Sequence, residues 1–527
     1  MPTFKYDGKE IPFEPGESII RAAEKQGIEI PHYCYHPGLS APANCRMCLV
    51  EVLPAANQRA VMLDVLEWDE ATKAYVSGRK PKLVPSCQMA ATEGLEVKGE
   101  SSEHVKLARK SVQEFLLLNH PVDCPICDQA GECKLQDYWL EHGKFEKRMK
   151  DEPVHKPKAV VFGPTIVYDA ERCVMCTRCI RFMDEVAKDP VLTMRERGNL
   201  NEIAVAPGRQ LEGHYTFMTE HVCPVGALTT KDFRFKARVW FLRSAKSVCQ
   251  GCATGCNTFL DYDPRTSKAY RYRPRENAAV NKYWMCDEGM LSYQAEHKGR
   301  VLEPKLGSES ATHADAVQRM KSRLSGWTKE SVAVVFSAQH SQEDNAALLE
   351  LAKLLGTSNL FFTKAADGYE DTILIHKDKN SNTAGVRALV PQAKSLDQLG
   401  AAVRSGGLRF VIALGADMSV SEEGLRDLGA LISLTSHTGT LSKLAHVTFP
   451  VSSWAETSGT YVNAKGLSQV AEKAFDAPEG VKPAWEVLGD IARELGFEPS
   501  WRKLKDLRAK LVPPAASAAP TVSGGAQ

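Results

Sequence analysis

Cysteine spacing is the strongest constraint on this chain. Its fifteen cysteines fall into four groups: Cys34/Cys45/Cys48/Cys87, Cys124/Cys127/Cys133, Cys173/Cys176/Cys179/Cys223 and Cys249/Cys252/Cys256/Cys286. The second group is one thiol short, and His120 stands four residues before Cys124. Fifteen thiols and one imidazole make four sets of four, the number of protein ligands an iron–sulfur cluster takes. A fold that brings each set together is a holder for a series of redox centres.

Each group carries its own spacing. The first, C-x10-C-x2-C-x38-C, resembles the plant-type loop with a longer first gap and predicts a [2Fe–2S] cluster. The second predicts a [4Fe–4S] cluster held by three thiolates and the His120 imidazole. Imidazole is neutral where thiolate is anionic, so the potential is expected to rise, as it does in Rieske centres. The alternative for His120 is a capping or surface histidine. The third, C-x2-C-x2-C with Cys223-Pro224 downstream, follows the bacterial ferredoxin pattern. Only one such run occurs, so Cys223 closes the same [4Fe–4S] cluster. Arg172, Arg178 and Arg181 crowd this loop. They either offset cluster charge or lie solvated or paired at the surface. The fourth, C-x2-C-x3-C-x29-C, resembles the [4Fe–4S] site at the start of molybdopterin oxidoreductases, which implies another [4Fe–4S] cluster. Zinc is the alternative occupant of the first and fourth groups, since C-x2-C is shared with zinc sites.

Bulk properties exclude several classes. Lys and Arg total 66 against 65 acids, so there is no basic footprint for nucleic acid, and near-zero charge favours association. No apolar run approaches the ~18 residues of a membrane span; Phe410–Gly415 is typical of the longest. The polar start Met1–Glu10 lacks a signal-peptide apolar region. The chain is expected in the cytoplasm, where a Cys-x-x-Cys pattern means metal rather than disulfide. There is no Gly-x-Gly-x-x-Gly fingerprint after a strand and no P-loop.

The predicted architecture is multidomain, α+β and then α/β. Over residues 1–95, strands Thr3–Tyr6 and Ile11–Phe13 flank an Asp7-Gly8 turn. A Ser18-capped helix then runs to about Gln26, which suggests a β-grasp ferredoxin domain. Pro54–Pro85 reads as an insertion before Cys87. Residues 96–145 are expected to be helical, with Val105, Val112, Phe115 and Leu116 as a stripe, ending before Pro121. Residues 146–240 and 241–300 hold the third and fourth groups, the latter on short strands with turns at Asp263-Pro264 and Arg273-Pro274. From 301 to 512 an α/β domain with a parallel sheet is predicted. Its strands are Val332–Phe336, Leu360–Phe362 and Phe410–Leu414; its helices are Glu343–Leu355, closed by Gly356, and a segment near Glu422–Leu428. Residues 513–527 read as a disordered tail.

The order of the groups resembles the large iron–sulfur (G-type) subunit of NADH:quinone oxidoreductase, respiratory complex I. The resemblance rests on Tyr35-His36-Pro37, on Asn44-Cys45-Arg46-Met47-Cys48-Leu49-Val50-Glu51-Val52 and on His120-Pro121-Val122-Asp123-Cys124-Pro125-Ile126-Cys127. It continues through Arg172-Cys173-Val174-Met175-Cys176-Thr177-Arg178-Cys179 and Cys223-Pro224-Val225-Gly226-Ala227-Leu228. Ala445-His446-Val447-Thr448-Phe449-Pro450 with Glu456, Gly459-Thr460-Tyr461-Val462-Asn463 and Gly466 resembles a truncated molybdopterin-oxidoreductase domain.

The resemblance implies electron relay from the flavin side toward quinone, with no catalytic residue in this chain and no molybdopterin. FMN and NADH would sit on a partner subunit. Further partners would be a small [2Fe–2S] subunit and a ferredoxin-like quinone-side subunit, all peripheral to the cytoplasmic face of the membrane. The fourth cluster would lie off the main path. An electron-transfer subunit of an NAD-linked hydrogenase or formate dehydrogenase shares the first three groups. A zinc-binding scaffold is the distant alternative.

Overall fold

The computed structural model describes residues 1–53, 62–146, 148–415, 425 and 427–511. They form two compact units, one ending at Trp240 and one starting at Phe241. The expected tail, and most of the expected helix near Glu422–Leu428, lie outside the described residues.

The first unit begins with a five-stranded sheet. Strands Thr3–Tyr6 and Lys9–Pro12 pair across the Asp7-Gly8 turn, where both residues have positive φ. Thr3–Tyr6 also pairs in parallel with Glu96–Lys98, which continues to Leu49–Leu53 and Leu83–Pro85. Ser18 accepts a hydrogen bond from the Arg21 N–H and caps the helix Ile19–Lys25. Ile19, Ile20, Ala22 and Ala23 of that helix pack with Phe4, Ile11, Val50 and Val97 of the sheet. Part of the expected insertion is a two-stranded hairpin, Met62–Asp69 with Ala74–Pro81, forming a sheet of its own.

Residues 96–145 depart from the expected helix. They open with the strand Glu96–Lys98, and the helices Glu103–Leu117 and Lys134–His142 are separated by the loop that carries His120 and the second cysteine group. The apolar stripe is also corrected. Val105 is buried, but Phe115 is 73% exposed, and the face turned inward is Val105, Arg109 and Gln113. Polar groups hold that face: Gln113 accepts from the Tyr33 hydroxyl at 2.5 Å, and Arg109 pairs with Glu100. Hydrophobic periodicity cannot detect a helix face buried by hydrogen bonding.

The second unit opens with the antiparallel sheet Arg243–Val248, Asn257–Asp263, Lys268–Pro274. The turn expected at Asp263-Pro264 is present, whereas Arg273-Pro274 lies in a strand, with Pro274 opposite Thr258. Proline is tolerated there because this is the end of an edge strand, where a missing N–H breaks no central ladder.

A seven-stranded sheet follows. Val447–Pro450, Ala430–Thr435, Phe410–Leu414, Val332–Ser337 and Leu360–Thr363 run parallel. Lys305–Leu306 and Glu309–Ser310 add an antiparallel edge, so the sheet is mixed rather than wholly parallel. Its central strands are apolar at nearly every position because both faces are covered. Val334, Ile412 and Ile432 face one core with the helices Gln342–Leu354 and Ala484–Glu494. Val335, Val411 and Leu431 face another with Leu396–Arg404.

Candidate metal centres

The folded chain brings each of the four sets together. In the first, Cys34, Cys48 and Cys87 are buried and Cys45 is partly so. The Cys34 thiol hydrogen-bonds Cys45, and Cys87 hydrogen-bonds Cys48. The hydrogen bond from Cys34 is the main reason Cys45 falls to about 5, and the bond from Cys87 lowers Cys48; each donor rises in turn. Cys45 is thus poised as thiolate, the form that binds metal, and Cys48 is shifted in the same direction. Ala43 and Arg46 adopt left-handed backbone on either side of Cys45. Strained backbone of this kind collects at functional sites. Burial, then Arg178, holds the neighbouring His32 at about 4 and His36 at about 2, so both imidazoles are neutral.

In the second set, His120, Cys124, Cys127 and Cys133 line one cavity of about 140 Å³, with Arg172 and Gly226 in its wall. The Ile126 and Cys127 N–H groups both donate to the Asp123 carbonyl, which turns the loop back on itself. Cys133 stands at the start of the helix Lys134–His142. Burial, then the charge on Arg172, brings His120 down to about 4. A neutral imidazole is the form that ligates. Arg172 is itself paired with Asp123 at 2.9 Å and Asp169 at 3.4 Å.

The third set, Cys173, Cys176, Cys179 and Cys223, surrounds a much tighter space of about 10 Å³ walled by Tyr168, Ile203, Val225 and Leu228. Met175 and Thr177, the residues between the cysteines, are left-handed. The Met175 N–H turns inward and donates to Cys173 Sγ at 3.4 Å. Burial raises all four thiols, Cys173 to about 11.

The fourth set lies in the second unit. Cys249, Cys252, Cys256 and Cys286 line a cavity of about 290 Å³. The first three sit in the loop joining Arg243–Val248 to Asn257–Asp263, closed by the Cys249 N–H donating to the Cys256 carbonyl at 2.8 Å. Cys286 caps the helix Asp287–Leu291, its Sγ accepting from the Gly289 N–H at 3.3 Å. Gly251 N–H donates to Cys249 Sγ at 3.4 Å. Burial pushes Cys249 up to about 12. The loop from Tyr369 to Lys379 roofs this cavity, held by Thr254 Oγ1 donating to the Leu374 carbonyl at 2.6 Å. Sequence reasoning missed this roof, which has no motif.

Neighbouring thiols that burial has raised, as all four of the third set are, do not ionise side by side unless a cation replaces their protons. The donor sets therefore suit a positively charged, sulfur-loving occupant. Among the described residues no three Cys, His, Asp or Glu side chains close on a single ion.

The three arginines also find their places. None is merely solvated. Arg172 links the second and third sets through Asp123. Arg178 and Arg181 lie between the first and third, donating to backbone carbonyls on both sides.

Residues 1–75 match the 2Fe-2S iron-sulfur cluster binding domain, and residues 109–148 match the NADH-ubiquinone oxidoreductase-G iron-sulfur binding region. Residues 163–229 match the NADH-quinone oxidoreductase subunit 3, ferredoxin-like domain, and 279–494 match molybdopterin oxidoreductase. The chain is related to the G-type subunits of NADH-quinone oxidoreductase. The one from Streptomyces coelicolor is 33% identical over 377 residues, covering 70% of this chain and 41% of that protein. The one from Rickettsia felis is 30% identical over 446 residues, covering 79% and 62%. The Candida albicans mitochondrial NADH-ubiquinone oxidoreductase 78 kDa subunit is 34% identical over 364 residues, covering 67% and 46%. The chain thus spans about half the length of the curated relatives it matches. A chain from the crystal structure of an NAD+-reducing [NiFe]-hydrogenase in the H2-reduced state aligns with a TM-score of 0.36 at 27% identity, covering 45% of this chain and 91% of that one.

Proposed function

We propose that the chain is the iron–sulfur electron-transfer subunit of an NADH:quinone oxidoreductase and contributes no catalytic residue of its own. In this reading, Cys34, Cys45, Cys48 and Cys87 hold a [2Fe–2S] cluster in a β-grasp ferredoxin domain. His120, Cys124, Cys127 and Cys133 hold a [4Fe–4S] cluster, as do Cys173, Cys176, Cys179 and Cys223, and Cys249, Cys252, Cys256 and Cys286. Bound clusters supply one-electron acceptance and release at each site. The chain's own residues would hold the sulfurs and, at the third and fourth sets, aim N–H groups at them, which tunes potential.

One observation carries the reading: the residues grouped by spacing are the residues that share a site in the fold. A second supports a relay. The third set adjoins the first through Arg178, Arg181 and the Asn44 amide donating to the Met175 carbonyl at 3.3 Å. It adjoins the second through Arg172–Asp123 and the Lys134 N–H donating to the Pro224 carbonyl at 3.0 Å. These contacts support a relay among the three sets of the first unit; the resemblance implies that the fourth lies off the main path.

The partners in this reading are a flavin- and NADH-binding subunit, a small [2Fe–2S] subunit and a ferredoxin-like quinone-side subunit. Among the described residues no helix is long and apolar enough to cross a membrane, so attachment to the cytoplasmic face would come through the complex. The molybdopterin-oxidoreductase-like region is read as scaffold without that cofactor. Iron and zinc analysis with EPR on anaerobically purified, dithionite-reduced protein tests the proposal. The ligand sets predict about 14 irons per chain and no stoichiometric zinc. Zinc throughout, with no EPR signal, would refute it.

A further inference from the structure

Two guanidinium groups occupy the seam between the first and third cysteine sets. Arg178 is 9% exposed. It donates to the Tyr35 carbonyl, next to Cys34, and through Nη1 to the Val222 carbonyl at 3.3 Å, next to Cys223. Arg181 Nη2 donates to the Cys34 carbonyl at 2.6 Å and to the Cys176 carbonyl at 3.3 Å. Its Nη1 donates to the Ser40 carbonyl. Each arginine thus ties backbone at or beside a ligand of one set to backbone at or beside a ligand of the other.

Among the described residues neither cation is in an ion pair. Among the described residues no acid stands within 4.0 Å of either guanidinium, in contrast to Arg172, which pairs with Asp123 and Asp169. Glu185, which Arg181 feels at longer range, is held by the Ser40 N–H at 2.8 Å and the Ser40 hydroxyl. Arg178 Nε has no hydrogen-bond partner at all. Burying an unpaired cation is costly unless a negative charge lies near. Carbonyl oxygens offer only partial charges. The anions that fit are the ones the cysteine sets would hold: a cluster with four thiolates is net negative, and each added electron makes it more so.

We propose that Arg178 and Arg181 are fixed positive charges shared by the first and third cysteine sets, positioning the two against each other and raising the reduction potential of both occupants together. This rests on the iron–sulfur reading above. When one electron arrives, one iron centre is reduced and the cluster gains one negative charge. Arginine takes up and releases no proton in the working pH range, so its charge offsets that electron without a coupled proton. A cation common to both sets eases reduction at both and leaves the gap between them nearly unchanged, which suits two successive stations on one path.

The test is a potentiometric EPR titration of the full chain, with signals assigned by their loss in Cys45→Ser, Cys176→Ser and Cys124→Ser. In Arg181→Gln the first- and third-set signals should move to lower potential by about tenfold in each reduction equilibrium, ~59 mV for one electron. The second-set signal should stay in place, and Arg181→Lys should retain most of the wild-type potential. Glu185→Gln, at a partly exposed position, should move the same two signals the opposite way. It decides the matter alone if Arg181→Gln does not load clusters. Clusters present with unmoved potentials in Glu185→Gln and in any loaded Arg181→Gln would overturn the proposal, as would an equal shift of all three signals. Wild-type protein without iron would instead overturn the reading on which the proposal rests.

Discussion

Gly226 offers a sharp test because it belongs by sequence to the third set's Cys223-Pro224-Val225-Gly226 loop, yet it walls the second set's cavity. A Cβ added there would press on Cys127 Sγ, inside any van der Waals separation, and stand 3.0 Å from Gln129 Cβ. Carbon atoms prefer about 3.5–4.0 Å, so the sulfur has to retreat by on the order of 1 Å. Metal–ligand distances tolerate only about 0.2 Å. Overpacking of this kind costs roughly 1–3 kcal/mol of stability, which a chain with two compact units can survive. Gly226→Ala should therefore fold, lose about four irons of about 14, and lose the His120-set EPR signal while keeping the third-set signal. Iron analysis with EPR reads this directly. Full iron content with an unchanged His120-set signal would refute the packing argument. Loss of the third-set signal alone would show that the loop serves its own cysteine rather than its neighbour's cavity.

His120→Cys replaces a neutral ligand with an anionic one, so its cluster should titrate at lower potential with altered relaxation; an identical EPR signal would remove His120 from the ligand set. Cys286→Ser should lower iron by about four per chain and spare the other three signals, because Cys286 belongs to the second unit and the other three sets to the first; a wider loss would contradict this. Burial opposes the charge on Asp261, but Arg273 and then Arg271 outweigh it and hold the carboxyl at about 2, below its ordinary 3.8. Its stabilisation is present above about 4 and lost as pH falls through about 2. Asp261→Asn should cost about 3–5 kcal/mol at neutral pH, as breaking a buried ion pair does, and urea unfolding should show the gap between variant and wild type closing in acid.

Reading the sequence worked where one residue type carries one meaning. A cysteine at a fixed spacing has few alternatives, and the Ser18 cap and Asp7-Gly8 turn are similarly local. The buried strands Val332–Ser337 and Phe410–Leu414 were legible because a strand covered on both faces must be apolar throughout. The failures share a cause as well. The inward face of Glu103–Leu117 is set by Arg109 and Gln113, whose partners Glu100 and Tyr33 come from other segments, and an exposed Phe115 looks like core until those partners are known. Pro274 marks a turn in isolation and a strand end once its edge position is known. Three arginines near one loop left two readings open, because charge type says nothing about what a guanidinium meets.

The sequence alone supplied the sixteen candidate donors and their grouping into four sets, fifteen thiols and one imidazole. Those facts depend on spacing along the chain, which folding does not alter. Tertiary structure decided adjacency. The third set lies beside the first through Arg178 and Arg181, and the helix that follows Cys133 also meets the first domain, at Glu29. Gly226 answers to a neighbouring set, and a loop more than a hundred residues beyond Cys256 roofs the fourth cavity. These depend on where distant backbone returns in space, and the long-range packing that fixes that return is not written at any single position.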